Sequence, residues 1–265
     1  RGTAYGDYAL RHPGDAVVVG VAEPRDPYRE RFTEAHGIPQ TEATADWRDL
    51  ARRPRFADAV IIATPDALHA APVTAFARKG YSILLEKPIA RTVTECIQIV
   101  EEASRQRVLL AVCHVLRYTQ ATRSVKEAVD SGDIGDIVCV QRLEPVGYWH
   151  HAHSYVRGNW CNERASSPML LAKCCHDLDW IRHIVGAPCQ AVHSFGTLKH
   201  FRSEEKPGGA ADRCLDCGIE AGCPYSALKI YLGRLRRGHT GWPLDVLAPD
   251  VNEETIARAL RHGPY

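Results

Sequence analysis

Four short apolar runs set among helical stretches constrain this chain most. They are Ala16–Ala22 (AVVVGVA), Ala57–Ala63 (ADAVIIA), Tyr81–Leu85 (YSILL) and Val108–Val112 (VLLAV). Runs of this length suit strands buried on both faces. The helical stretches are Gly2–Arg11, Pro27–His36 ended by Gly37, a short one at Trp47–Arg52, Ala67–Lys79 ended by Gly80, and Thr92–Arg105, with Thr92 or Thr94 near its cap. Strands separated by helices imply βαβ units, right-handed crossovers and a doubly wound parallel sheet.

The rhythm changes after Thr119. A helix is expected over Thr119–Ser131, a long strand over Gly135–Gly147, a long helix over Met169–Val185 and another strand over Gln190–Leu198. Ser203–Gly222 reads as an irregular loop, and the polar tail from Gly233 has no evident partner. The expected fold is α/β: residues 1–117 form a parallel-sheet domain, and residues 118–265 an α+β domain. At 265 residues the chain is long enough for two such domains. A net charge of +1 gives no reason to expect a nucleic-acid or membrane partner, and no apolar run approaches the roughly 18 residues a membrane span needs. Ten cysteines, several in apolar runs such as LAVC and IVCV, read mostly as small hydrophobes in a reducing, cytoplasmic compartment.

A doubly wound nucleotide domain opens on a strand, a glycine-rich turn and a helix. Here Arg1-Gly2-Thr3-Ala4 stands directly before a helix, so Gly2 takes the place of the third glycine of G-x-G-x-x-G. The first strand and first two glycines are then missing, and the chain reads as a fragment. Such a fragment should expose apolar surface and dissolve poorly. The motif also wants an acidic residue roughly 20 positions on, after the next strand. Glu23 is there.

Glu86-Lys87-Pro88 directly follows the third apolar run. Ligands of open α/β sheets sit at the carboxyl ends of strands. Proline fixes the turn and biases Lys87 away from the α region. Glu86 can orient the Lys87 ammonium, and Lys87 can then bond a substrate hydroxyl and assist its proton transfer.

With these residues in place the chain resembles the glucose-fructose oxidoreductase / inositol dehydrogenase / MocA (Gfo/Idh/MocA) family. The matching residues are Gly2, Glu23-Pro24, Ala63-Thr64-Pro65-Asp66 with His69, Glu86-Lys87-Pro88, Arg117-Tyr118, and Lys173 to Asp179 (KCCHDLD). The resemblance implies a Rossmann domain and an α+β domain with a large, mostly antiparallel open sheet. It implies NAD(P)-dependent hydride transfer between nicotinamide and a sugar, cyclitol or similar polyol, by a chain that lacks C-terminal strands and forms a homo-oligomer at full length. By the same resemblance Gly2, Glu23, Thr64, Pro65, Asp66, His69, Glu86 and Lys87 contact the cofactor; Asp66 stands where the family more often has Asn. A carboxylate at Glu23 favours NAD over NADP, and Arg25 can reverse that. Arg117, Tyr118 and Asp179 fall on the substrate side.

Lys173, His176 and Asp179 share one stripe of the long expected helix. The family has a histidine at 176 that exchanges a proton with the substrate hydroxyl, a task suited to imidazole. It often has Asp four residues earlier, where this chain has Ala172. The acid/base is therefore His176 or Lys173, with Lys87 positioning the hydroxyl. The Ala172 departure supports one alternative, a non-catalytic nucleotide-binding or regulatory protein; the resemblance itself leaves another, redox-neutral NAD-assisted glycoside cleavage.

Cys214-x-x-Cys217-x5-Cys223 offers three soft ligands in one loop. Three thiolates suit a structural zinc or an iron–sulfur cluster, although the spacing matches neither a zinc-ribbon pair nor a ferredoxin run; three free thiols, or a disulfide between two of them, are the other readings. Tyr148-Trp149-His150-His151-x-His153 reads as a polyol-binding rim, a metal site or a solvated loop.

Overall fold

The computed structural model describes residues 1–265, and their parallel strands fall into two separate sheets. The chain divides into two compact units: Arg1–Thr122 with Leu170–His176, and Arg123–Met169 with Asp177–Tyr265. The first unit is therefore discontinuous in sequence.

The first unit runs α1 (Gly2–Arg11), β1 (Val21–Ala22), α2 (Asp26–His36), β2 (Ala43–Thr44), α3 (Trp47–Arg52), β3 (Ala59–Ile62), α4 (Ala70–Ala77), β4 (Ser82–Leu85), α5 (Val93–Arg105) and β5 (Leu110–Val112). β4 lies between β3 and β5, both parallel to it, with Ile62 opposite Leu85 and Leu85 opposite Val112. Ile83 and Leu85 are buried with Ile62, Val73, Ala77, Ala90 and Ile99. α5 starts where Thr92 Oγ1 accepts the Glu95 backbone N–H, an N-cap worth about 1 kcal/mol. α2 stops at Gly37, whose φ of 61° suits glycine. Gly6 lets α1 approach α2, since a Cβ there would sit 2.7 Å from the Phe32 ring.

The run Ala16–Ala22 departs from expectation. Only Val21–Ala22 is strand, paired with β2 alone, while Val17 is 71% exposed. A strand is buried on both faces only inside a larger sheet, and β1 does not pair with β3. A cleft of about 580 Å³ is lined by Val17, Val18, Val19, Pro54 and Phe56.

The second unit is helical. α6 (Gln120–Asp130) begins in the first unit and continues into the second. It is followed by α7 (Tyr148–His151), by α8 (Met169–Ala172) and α9 (Cys175–Val185), of which Leu170–Ala172 and Cys175–His176 belong to the first unit, and by α10 (Gly233–Leu235), α11 (Leu244–Leu247) and α12 (Glu253–His262). The expected antiparallel sheet is absent. Neither Gly135–Gly147 nor Gln190–Leu198 forms a strand, and Val138 and Phe195 are each 97% exposed. An extended segment needs a hydrogen-bonded neighbour to persist as a strand, and neither has one here. The tail also differs from expectation. Leu244, Ile256 and Leu260 are buried with Tyr231 and Ile230 to form this unit's core. α12 opens on a capping box between Asn252 and Thr255. The histidine loop is not solvated throughout: His153 is buried, with Nδ1 2.8 Å from Tyr231 Oη. No helix is long and apolar enough to cross a membrane.

Candidate functional site

β4 delivers Glu86-Lys87-Pro88 to its carboxyl end, and Glu86 N–H extends the ladder by donating to Ile62 O at 2.9 Å. The Lys87–Pro88 peptide is cis. Glu86 turns inward and is 7% exposed. Its Oε1 accepts from Tyr5 Oη at 2.5 Å and its Oε2 from the Lys87 backbone N–H at 3.0 Å. Contrary to expectation, Glu86 does not hold the Lys87 ammonium. That ammonium donates to the Ala172 carbonyl at 2.7 Å.

This contact accounts for a second departure. The helix expected over Met169–Val185 is interrupted at Lys173–Cys174. In an unbroken helix the Ala172 carbonyl accepts from the His176 N–H. Here Lys87 takes that carbonyl, and His176 N–H donates to Lys173 O at 3.3 Å instead. Lys173 thus lies in the helix break and His176 just beyond it, and the two do not share an unbroken stripe. Asp179 lies further along α9, in the second unit.

His176 Nδ1 is buried without a hydrogen-bond partner. Burial first, then Lys87, His114 and Lys173, push the imidazole down to about 4, with Glu86 opposing weakly. At neutral pH His176 is an uncharged ring able to accept a proton. Neighbouring Cys175 is pushed up to about 11, chiefly by burial, and stays a thiol. His114 meets His176 edge to face, ring centroids 6.1 Å apart. Sequence reasoning missed His114. Its signal was available, since it follows the carboxyl end of β5 as Glu86 follows that of β4.

His69 is 1% exposed. Its Nδ1 lies 2.9 Å from Pro88 O and 3.1 Å from Ile89 O, and its Nε2 3.0 Å from Thr64 O. It therefore joins the Thr64-Pro65 loop to the Pro88-Ile89 loop and offers no exposed atom to a ligand. Thr64 Oγ1 donates to Leu68 O at 3.2 Å, and Asp66 is buried. Arg117 and Tyr118 lie in a turn after β5, with Tyr118 69% exposed.

At the end of β1, Glu23 is bidentate to Arg25, with Nε–Oε1 at 2.7 Å and Nη2–Oε2 at 2.9 Å. Burial opposes the charge of Glu23, but the bonds from Arg25 prevail and hold its carboxyl below the usual range. Arg25 also lies 4.1 Å over the Tyr28 ring. α1 has no side-chain cap, so its first N–H groups suit an anion, and a Cβ on Gly2 would have only Ala63 within 4.0 Å. These features fit a dinucleotide.

No group of three or more His, Cys, Asp or Glu side chains is gathered to hold an ion. Cys214 Sγ is engaged otherwise, accepting from Ala227 N–H at 3.4 Å and Arg157 Nη2 at 3.7 Å.

An acid-stability prediction follows from the buried imidazoles. Burial pushes His153, like His176, down to about 4. The unfolded chain binds these protons near pH 6.5, before the folded chain does. Stability is therefore level above pH 6.5 and falls as pH drops from 6.5 toward 4. Melting temperatures across that window should show the slope, and His153→Gln with His176→Gln should flatten it. An identical slope in the double variant would refute the assignment.

Residues 2–114 match the family model described as "Oxidoreductase family, NAD-binding Rossmann fold", and residues 122–215 match that of the GFO/IDH/MocA C-terminal domain. Inositol 2-dehydrogenase 1 of Saccharopolyspora erythraea is 39% identical over 89 residues, covering 32% of this chain and 26% of that protein. 2,7-Anhydro-N-acetylneuraminate hydratase of Mediterraneibacter gnavus is 27% identical over 144 residues, covering 54% and 37%. A structure of levoglucosan dehydrogenase in complex with NADH and levoglucosan superposes with a TM-score of 0.53 at 26% identity, covering 64% of this chain and 45% of that one. The matched stretch spans less than half the length of these relatives.

Proposed function

The chain belongs to the Gfo/Idh/MocA oxidoreductase family, and on that premise we propose that it belongs to an NAD(P)-dependent oxidoreductase acting on CH–OH groups of a sugar, cyclitol or similar polyol. The observation that carries this reading is the Lys87 ammonium on the Ala172 carbonyl, beside a neutral His176, at the carboxyl end of β4. The α1 N-terminus at Gly2 would hold the cofactor's diphosphate, Glu23 with Arg25 would bond its ribose hydroxyls, and Thr64, Pro65 and Asp66 would line the cleft. When bound, the cofactor supplies nicotinamide C4 as hydride acceptor or donor. Lys87 donates a hydrogen bond to the substrate oxygen and stabilises its negative charge. His176 takes the hydroxyl proton during oxidation and returns it during reduction; Lys173 is the alternate acid/base. Arg117 and Tyr118 orient the polyol.

NADH fluorescence titration tests the cofactor half: the chain should bind, and Glu23→Ala should weaken NADH roughly ten-fold, the loss of about 1.4 kcal/mol of hydrogen bonding. Absent binding of both NADH and NADPH would overturn the reading. Absorbance at the nicotinamide band with a polyol panel tests the other half. The hydratase relative supports a second reading, redox-neutral chemistry, in which product forms with no net NADH.

A further inference from the structure

We propose that Tyr5 is a positioning residue that holds the Glu86 carboxylate and so keeps the Lys87 ammonium directed at Ala172 and the His176 side of the site. The assignment rests on reading Lys87 and His176 as the proton-handling pair.

Glu86 and Lys87 are adjacent and opposite in charge, Glu86 buried and Lys87 half-buried. Attraction between such groups grows as solvent is excluded, so pairing with each other is their default. They do not pair. The Tyr5 hydroxyl, in the first turns of α1, donates to Glu86 Oε1 at 2.5 Å. The Lys87 backbone N–H occupies Oε2 at 3.0 Å. Both oxygens are thus engaged, by groups other than the Lys87 ammonium. Lys87 Nζ is left to the Ala172 carbonyl.

Tyr5 faces Glu86 and Cys113, and burial together with these neighbours holds its hydroxyl proton far more tightly than usual. It remains a donor across the working pH range. The groups facing His176 are Lys87, His114, Lys173 and Glu86. Lys87 opposes protonation of His176, whereas Glu86 favours it only weakly from its present position. Releasing Glu86 onto Lys87 would cancel part of the ammonium's field at the imidazole. Tyr5 therefore acts on His176 through two charges, without touching it. No kink, cap or core position on α1 requires a hydroxyl at Tyr5, whose ring alone would serve for packing.

The test is an NMR titration of the His176 imidazole in the 265-residue chain, its resonance assigned with His176→Gln. The wild type should titrate near 4. Tyr5→Phe should raise that midpoint by about one pH unit, the lower end of what a nearby charge commonly moves. Glu86→Gln should lower it, and Tyr5→Phe should then add nothing in the Glu86→Gln background. Cys113→Ala leaves the Tyr5–Glu86 bond intact and should leave His176 unmoved. An unmoved midpoint in Tyr5→Phe overturns the proposal. So does a Tyr5→Phe shift that persists in Glu86→Gln, or an equal shift in Cys113→Ala. Should Tyr5→Phe not fold, Glu86→Gln decides alone: a midpoint that fails to fall overturns it. The readout needs neither cofactor nor turnover. An inactive protein with the expected His176 response would defeat the hydride-transfer reading and leave the Tyr5 assignment standing.

Discussion

Lys87→Met should lower polyol turnover by about 10²- to 10⁴-fold, the range that removal of a positioned proton-transfer partner gives. Methionine keeps an unbranched side chain one atom shorter and loses the charge and the donor. Two things then fail together. The substrate oxygen loses its hydrogen bond, and the Ala172 carbonyl loses the partner that interrupts the helix at Lys173–Cys174. The freed carbonyl can accept from the His176 N–H, so Lys87→Met should also gain a trace of helical ellipticity. Steady-state rates with the best polyol, together with far-ultraviolet circular dichroism, make the comparison. Arginine is a strict control, because its planar fork cannot mimic a point ammonium on one carbonyl. Turnover of Lys87→Met within ten-fold of wild type would remove the lysine from the mechanism.

His69→Ala should destabilise the first unit by about 3 kcal/mol and abolish nucleotide binding. The figure joins the cavity left by a buried ring with the loss of its hydrogen bonds. His69 is spent on three carbonyl contacts, to Thr64, Pro88 and Ile89. A neutral imidazole has one N–H, yet both nitrogens face carbonyls. The bond in the second direction depends on where the proton sits, and alanine removes both directions at once. The Thr64-Pro65 loop and the turn after Glu86 would then drift independently. A fall in melting temperature of about 10 °C is expected, with NADH titration flat. His69→Gln, able to donate in one direction, should recover part of both. A melt and an NADH affinity unchanged in His69→Ala would show that the loops are held by other means.

Local signals carried the first unit well. α5 is announced by Thr92 and Glu95 and by an amphipathic run, and these act within one turn. β4 is announced by its apolar run and by Gly80. β1 was legible only in part, because burial of Val17 depends on a neighbouring strand and not on Val17 itself. The same reason explains Gly135–Gly147 and Gln190–Leu198, whose β-like patterns find no pairing partner. The break at Lys173–Cys174 was invisible for a different reason: it is caused by a lysine far away in sequence. The α12 signals were present but overlooked. Asn252 and Thr255 form a box, and Ile256 and Leu260 lie one turn apart on the buried face. In the candidate site, strand-end logic found Glu86 and Lys87, and applied once more would have found His114. The roles of Tyr5 and His69 could not be read, since neither pairing leaves a trace in spacing.

The Lys87–Ala172 contact also has a folding consequence. It closes a loop across 85 residues. Holding the ends of such a loop together costs about 4 kcal/mol of chain entropy. The ammonium and the imidazole therefore meet only where the segment Leu170–His176 is docked on the strand end, so the site's assembly hangs on a contact between residues far apart in sequence.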